Sequence, residues 1–369
     1  MLKETLWVLL ASLSINTTSY TDINNHKIYC EYIASTIENV NDFGVAILRE
    51  SKEIKRDDAS AFLNTKANKK VILDVDMSTD VDDVCAIRMA TSMDSAGLID
   101  LVGVMSSITG DKNIDAIRGL LLHDGHSDVL IGKSNVEEPD TSPYWEVLSM
   151  YSDGGGDIDS AVRQYRKILV SANKPVDIVT TGYLTNLEYL LKSGPDDISE
   201  LDGLTLLKEK GGQLYVVGGS YPDGFSNNLH YTYAARIATD YVNKNWPYPI
   251  IFSPGQTSGK LTCGKFLQER DINQKDVVTK SLYAFGTNCG RAAWDPFGVW
   301  ICGHACSETN QVVLERCDLI TDPGMDSSVF IPSENGRHYV VHLCQTDYNY
   351  YNVTMDNWLI GMYESIYGK

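Results

Sequence analysis

The sequence predicts an α/β fold in which a mostly parallel central sheet is flanked by helices. Residues 71–73 and 98–104 are short apolar runs separated by a helical pattern, and strand, helix, strand at this spacing is a βαβ unit, which makes the two strands parallel. Three further apolar runs follow at 130–132, 176–180 and 214–219. With 369 residues, 43% of them hydrophobic, the chain is long enough for one large domain with a sizeable core.

The N-terminal part of the chain is predicted to precede this domain. Residues 1–19 contain one lysine and a short apolar stretch, which is the form of a secretory signal peptide and is too short to anchor a protein in a bilayer. Residues 20–68 are polar and form an N-terminal extension, and residues 69–369 form the domain. We therefore expect a secreted or extracytoplasmic protein with no membrane association once the signal is removed.

The charge balance and the cysteines restrict the partners and the compartment. The chain carries 31 basic and 49 acidic residues, a net charge of −18, which repels phosphate backbones and excludes DNA or RNA polymers as partners. Its eight cysteines suit an oxidising compartment. Disulfides are expected among the six C-terminal cysteines, whereas Cys85 is interpreted as a buried free thiol.

The first predicted strand leads into a turn crowded with carboxylates. Such a cluster would repel itself unless a cation lay within it, because a helix N-terminus supplies only a partial positive charge. Oxygen ligands without a nearby His or Cys favour Ca²⁺ or Mg²⁺ over Zn²⁺, so the turn predicts a metal site. The carboxylates are Asp74, Asp76, Asp80, Asp82 and Asp83.

Two other interpretations of the same turn remain open. Asp82 could be the N-cap of the helix that follows, which is a common role for Asp. Asp74, Asp76 and Ser78 also resemble the Asp-x-Asp-x-Thr/Val signature of phosphatases of the haloacid dehalogenase kind. Such a phosphatase would not need the Asp82–Asp83 pair.

A second polar segment follows the next strand. Ligands of parallel sheets bind beyond the carboxyl ends of the strands, so Asp111 or Asn113 is expected on the same edge as Asp76 and Asp82. The alternative is that Asp111 caps the following helix.

Four stretches of the chain, in order, resemble the inosine-uridine nucleoside hydrolase family. The first matches the variant of its signature written Asp-x-Asp-x-x-x-Asp-x-Asp-Asp. The resemblance implies a nucleoside hydrolase-like fold with a Rossmann-like open sheet. The stretches are the acidic turn 74–83, the turn 181–186 (Thr-Gly-Tyr-Leu-Thr-Asn), the glycine pair 218–219 and the segment 291–296 (Arg-Ala-Ala-Trp-Asp-Pro).

Two of these stretches also have purely structural interpretations. The turn 181–186 could be a glycine turn in which Thr185 or Asn186 caps a helix. Asp295 followed by Pro296 could be an N-cap with proline at the first helical position.

The resemblance implies a calcium site and a mechanism. Asp76, Asp83, Asp295 and the carbonyl oxygen of Thr181 would coordinate Ca²⁺, with the ribose diol and one water completing the shell. Asp76 would take the proton of the attacking water, and Asp82 would accept hydrogen bonds from the ribose hydroxyls. Because the reaction passes through a cation-like sugar, surrounding negative charge stabilises the transition state more than the neutral ground state.

The expected substrate-binding residues depart from the family pattern in two places. Asp111 stands where family members carry an Asn that contacts the ribose. Family members also carry Glu-x-Asn after the glycine pair, but this chain has no carboxylate near Ser226. Asn227 or Asn228 could still hold a sugar hydroxyl through its amide.

For the leaving base, the sequence predicts one contact, and no residue is assigned as the general acid that would protonate it. Trp294 would stack near the base, since an aromatic face suits a planar heterocycle. His230 is interpreted as a surface residue rather than a general acid.

The sequence therefore predicts a calcium-dependent nucleoside N-ribohydrolase that releases ribose and free base from a small-molecule nucleoside. The alternatives are a secreted metal-containing nucleoside- or sugar-binding protein with little turnover and, least favoured, the phosphatase. A homo-oligomer is expected by analogy with the family alone.

Overall fold

The computed structural model describes residues 69–134, 136, 141–155, 158–305, 311–344 and 347–368. The predicted signal peptide and N-terminal extension lie outside this range, and the domain bounds and the extracytoplasmic location stay predictions. Within the described part of the chain, no helix combines the length and the apolar character that crossing a membrane requires.

The fold is built on one large sheet and a small two-stranded sheet. The strands are β1 Lys69–Val75, β2 Ile99–Ser106, β3 Leu130–Gly132, β4 Val176–Thr180, β5 Gly211–Val217, β6 Asp223–Gly224, β7 Ile250–Ser253, β8 Thr262–Cys263, β9 Arg291–Ala292, β10 Val312–Ile320, β11 Ser328–Pro332 and β12 His338–Leu343. The large sheet has ten strands in the order β3-β2-β1-β4-β5-β7-β12-β10-β11-β6, and β8 pairs with β9.

The helices connect the strands and cover both faces of the sheet. They are α1 Asp82–Ser95, α2 Asp111–His123, α3 Trp145–Ser149, α4 Ala161–Ser171, α5 Thr185–Lys192, α6 Gly203–Lys210, α7 Asn227–His230, α8 Tyr233–Asn245, α9 Gly255–Ser258, α10 Lys265–Arg270, α11 Val277–Phe285, α12 Trp294–Trp300 and α13 Tyr348–Tyr367. A single π-helical turn, Ile301–Ala305, continues α12.

The sheet is parallel from β3 to β12 in the strand order, and β10, β11 and β6 join antiparallel at the far edge. β1 lies between β2 and β4, and its central residues Ile72 and Leu73 are fully buried. Two apolar clusters cover the sheet, one on each face. The predicted α/β class with a mostly parallel sheet is confirmed.

Several predicted elements agree closely with the structure. β3 and β4 have the bounds expected from the sequence. The parallel arrangement brings the residues after β1, β4, β5 and β7 to one edge of the sheet. That edge carries the polar residues singled out in the sequence.

The cysteines do not support the expected disulfides. Cys263, Cys289 and Cys317, from the C-terminal group, carry free thiols, and the structure records no disulfide among the residues it describes. Cys85 is a buried free thiol, as predicted.

A buried ionic network joins three helices. Arg88 of α1 donates from Nε to Asp124 Oδ2 at 2.8 Å and from Nη1 to Asp276 Oδ2 at 2.9 Å. All three side chains are fully buried. Burial alone would lower the pKa of Arg88, but the two carboxylates hold that pKa above its ordinary value. Because Asp124 ends α2 and Asp276 caps α11, the network fixes these helix ends against α1.

Candidate active site

Three carboxylates that are far apart in the sequence meet at the carboxyl edge of the sheet. Asp76 directly follows β1, Asp83 lies in the first turn of α1, and Asp295 lies in the first turn of α12. One ligand oxygen from each lies within 4.8 Å of the others. The arrangement could therefore hold a metal ion.

Thr181 joins this group from the end of β4. Its main-chain N–H donates to the carbonyl of Asp74 at 2.8 Å, and its hydroxyl donates to Asp83 Oδ1 at 2.8 Å. Its own carbonyl accepts a hydrogen bond from Asn228 Nδ2 at 2.6 Å. A carbonyl oxygen has two lone pairs, so one remains for a cation.

The acids at the two helix starts are not helix caps. Val81 is the N-cap of α1 and Ala293 is the N-cap of α12, and neither helix has a side-chain capping bond. The alternative roles of Asp82 and Asp295 as caps are therefore wrong. Asp82 instead accepts a hydrogen bond from the main-chain N–H of Asp295 at 3.2 Å, which ties the two helix starts together.

Burial and mutual repulsion make the carboxylates costly without a cation. Burial raises the pKa values of Asp82, Asp83 and Asp295 well above 3.8, and repulsion adds to it, chiefly from Asp80 on Asp82, from Asp76 on Asp83 and from Asp82 on Asp295. A divalent cation would relieve this repulsion. An all-oxygen donor set fits a hard cation such as Ca²⁺ or Mg²⁺.

Asp74 is a fully buried residue of β1, two positions before Asp76. Burial raises its pKa to about 7, against the opposing effect of hydrogen bonds from Tyr165 and Asn186. Tyr165 donates to its Oδ2 at 2.7 Å, and Asn186 Nδ2 lies 3.1 Å from each carboxylate oxygen. Asn186 also donates to the carbonyl of Ser106, so it joins β1 to β2 and does not cap α5.

Three side chains donate hydrogen bonds to main-chain carbonyls of the acidic turn, a role that the sequence did not reveal. Tyr144 donates to the carbonyl of Ser78 at 3.0 Å, and Trp145 Nε1 donates to the carbonyl of Met77 at 2.8 Å. Asn113 Nδ2 donates to the same Met77 carbonyl. The helix α3 and the residue before it therefore support the acidic turn.

The predicted substrate-binding residues differ in their placement. Asp111 is the first residue of α2 and Asn227 the first of α7, and both side chains are exposed. Asn228 is half-buried and donates from Nδ2 to the carbonyls of Thr181 and Val217, at 2.6 and 2.9 Å. Asn228 is thus hydrogen-bonded directly to a residue of the acidic site, whereas Asp111 and Asn227 lie at the surface.

The expected surface position of His230 is wrong. The residue is 4% exposed, and its Nδ1 accepts a hydrogen bond from the main-chain N–H of Ser226 at 3.0 Å. Burial lowers the pKa of His230, which favours the neutral ring. Ser226, near the missing Glu, accepts a hydrogen bond from the Gly219 N–H through its hydroxyl.

An arginine lies next to the predicted base-stacking residue. Arg291 Nε donates to Asp80 Oδ1 at 2.8 Å and Nη2 donates to Asp80 Oδ2 at 2.6 Å. Its guanidinium carbon lies 5.2 Å from the ring centroid of Trp294. Trp294 is half-buried and donates from Nε1 to the carbonyl of Gly255 at 3.1 Å. The sequence contained Arg291 within a recognised segment but gave no signal for its partner.

Comparison with known proteins supports the family resemblance at the level of the fold. No protein-family model and no curated protein sequence matches the chain. An inosine-uridine preferring nucleoside hydrolase from Bacillus anthracis is similar in structure, with a TM-score of 0.60 and 15% identity over 80% of this chain and 98% of that one. A purine-preferring ribonucleoside hydrolase from Gardnerella vaginalis has a TM-score of 0.59 and 16% identity over 81% of this chain and 99% of that one.

A third similar structure is a type III effector. XopQ, solved in complex with adenosine diphosphate ribose, has a TM-score of 0.58 and 13% identity over 89% of this chain and 99% of that one. The fold defined by these neighbours is that of nucleoside hydrolases. The chain has this nucleoside hydrolase-like fold, and the resemblance predicted from its four stretches is confirmed to that extent.

Proposed function

We propose that the protein is a calcium-dependent hydrolase that cleaves the N-glycosidic bond of ribonucleosides and releases ribose and free base. The observation that carries this proposal is the convergence of Asp76, Asp83 and Asp295 within 4.8 Å at the ligand-binding edge of a nucleoside hydrolase-like fold. Thr181 adds a carbonyl oxygen at the same place. When bound, Ca²⁺ would hold the ribose diol and lower the pKa of a water molecule.

The residues around the cation site have complementary roles. Asp76, half-exposed at the end of β1, accepts the proton of the attacking water. The second oxygen of Asp82 and the amide oxygen of Asn228 accept hydrogen bonds from sugar hydroxyls. The clustered carboxylates stabilise the positive charge that develops on the ribose as the bond breaks.

The phosphatase alternative fits the structure poorly. It requires Asp74 as a nucleophile, but Asp74 is fully buried, and its oxygens are hydrogen-bonded to Tyr165 and Asn186. A phosphate ester could not reach it without displacing these partners.

The binding-protein alternative is favoured by the departures at Asp111 and Ser226. Losing an anionic acceptor for a sugar hydroxyl gives up a charge-assisted hydrogen bond, which would weaken transition-state binding. Under this alternative, calorimetry would detect nucleoside binding while no ribose is released.

The test of the proposed function is ribose release. Inosine, uridine and adenosine are incubated with the purified protein after EDTA treatment, with and without added CaCl₂. We expect ribose release with calcium and a return to the uncatalysed rate in EDTA. Absence of ribose release from all three nucleosides at saturating calcium would contradict the proposal.

Gly182 provides a test of the site geometry. A Cβ at this position would lie 2.7 Å from Asp76 Cβ, 2.8 Å from Asp76 N and 2.4 Å from Ser107 Oγ, so in the G182A variant Asp76 and the turn that carries Thr181 must move apart. We expect the affinity for Ca²⁺, measured by calorimetric titration, to fall by roughly 10–100-fold.

The matched control for this variant is G194A, because a Cβ at Gly194 would meet nothing within 4 Å. Its calcium affinity should equal that of the wild type. If G182A also binds calcium normally, Asp76 and the Thr181 carbonyl do not form a cation site together.

A further inference from the structure

Arg291 is a positively charged group next to a strongly acidic site, with part of its hydrogen-bonding capacity unused. Nε and Nη2 bind the two oxygens of Asp80, and no residue that the structure describes accepts a hydrogen bond from Nη1. The side chain is 36% exposed, so a ligand can reach it. The guanidinium is planar and its donors diverge, which directs Nη1 away from the Asp80 pair.

The guanidinium lies close to two aromatic rings. It lies 5.4 Å from the Phe285 ring centroid and 5.2 Å from that of Trp294. Trp294 immediately precedes Asp295 and is fixed through Gly255. Arg291 therefore occupies a defined position beside the aromatic face that adjoins the cation site.

We propose that Arg291 binds the departing base through Nη1 and stabilises the negative charge that develops on it. This inference rests on the proposed function. As the bond between the sugar carbon and the base nitrogen breaks, its electron pair moves onto the base. Carboxylates alone would repel that charge, so a fixed cation on the base side lowers the energy of the transition state.

Arg291 acts by charge and hydrogen bonding rather than by proton transfer. Its pKa lies above its ordinary value because Asp80 accepts hydrogen bonds from the guanidinium, and an arginine does not lose its proton in proteins. The water oxygen bonds to the sugar carbon and its proton passes to Asp76, which returns it to solvent. The departed base anion takes its proton from bulk water, so the protons balance without a general acid.

Asp80 is the positioning residue in this arrangement. It lies in the acidic turn, and its Oδ1 also accepts the main-chain N–H of Val81 at 2.7 Å. The Asp80 carboxylate is thus fixed just before the start of α1. It orients the Arg291 guanidinium through hydrogen bonds from Nε and Nη2.

Dependence on the leaving group distinguishes this role from a purely structural one. Purine and pyrimidine anions are poor leaving groups, whereas 4-nitrophenolate departs readily without help. With R291Q we expect kcat on inosine to fall by roughly 10²-fold, and kcat on 4-nitrophenyl β-D-riboside to fall by less than about 10-fold. R291K, which keeps the charge without the planar fork, should recover part of the activity on inosine.

The control is R270Q, because Arg270 forms an exposed pair with Glu364 at 3.1 Å on α13. It should match the wild type on both substrates, and thermal unfolding should confirm that R291Q is folded. Equal losses on both substrates, or no loss on inosine, would overturn the role of Arg291 while leaving the proposed function intact. If the wild type cleaves neither substrate, the proposed function itself fails.

Discussion

Replacing Asp295 with asparagine is expected to reduce calcium-dependent ribose release by roughly 10³-fold or more. Asp295 supplies one of the three carboxylates that meet within 4.8 Å. Its main-chain N–H also donates a hydrogen bond to Asp82, which links the start of α12 to the acidic turn. An amide keeps the shape but removes the charge that holds a cation and stabilises a positive sugar. Initial rates of ribose release at saturating CaCl₂ measure the loss.

The same variant is expected to be at least as stable as the wild type in EDTA. Burial, Asp82 and Asp83 raise the pKa of Asp295 above 3.8, so the folded state binds its proton more tightly than the unfolded state does. The contribution of Asp295 to the free energy of unfolding is present below its pKa in the unfolded state. That contribution is lost as the pH rises through its pKa in the folded state. The free energy of unfolding of D295N, measured in urea, should therefore exceed that of the wild type only slightly near about pH 4. The difference should grow toward about pH 8.

The control is D128N, which changes an exposed carboxylate in the turn before β3. Its activity and its urea midpoint should follow the wild type at every pH. D295N with normal ribose release would remove Asp295 from the site, and D295N that is less stable than the wild type in EDTA would contradict the repulsion described here.

Replacing Arg88 with methionine is expected to lower the free energy of unfolding by about 3–5 kcal/mol. Methionine fills much of the same volume, but the carboxylates of Asp124 and Asp276 would remain buried without their cation. Both receive hydrogen bonds from Arg88 at 2.8–2.9 Å in the wild type. Urea unfolding followed by circular dichroism measures the change.

The control for R88M is a substitution in an exposed ion pair formed by another arginine. Arg163 binds Asp197 at 2.7 Å on the surface, and exposed pairs contribute little, so R163M should unfold close to the wild-type midpoint. Adding D124N and D276N to R88M should recover part of the loss, because the unpaired charges are then removed. An R88M midpoint equal to that of R163M would show that the buried network does not stabilise the fold.

Local patterns were sufficient to predict the parallel sheet and the bounds of β3 and β4. β4 lies at Val176–Thr180, as expected from a short apolar run between polar segments. The acidic turn was also visible, because carboxylates crowd into a few residues there. Sequence spacing alone could not bring Asp295 to that turn, and its predicted place came from the family resemblance.

Contacts between distant segments account for what the sequence did not reveal. Tyr144 donates a hydrogen bond to the acidic turn from a position 66 residues further along the chain. Arg291 pairs with Asp80 across 211 residues of chain. His230 is polar and was expected at the surface, but the chain after β5 turns its ring inward onto the Ser226 N–H. None of these contacts can be recognised from residues that are neighbours in the sequence.

The two hydrogen bonds donated by Asn228 have a consequence for ligand selection. Both partners, the carbonyls of Thr181 and Val217, can only accept, so the amide has one allowed orientation and cannot flip. The atom left for a ligand is therefore the amide oxygen, an acceptor, which a hydroxyl satisfies and a phosphate oxygen does not. Under the proposed function, this acceptor and the surrounding carboxylates would favour neutral nucleosides over their phosphorylated forms.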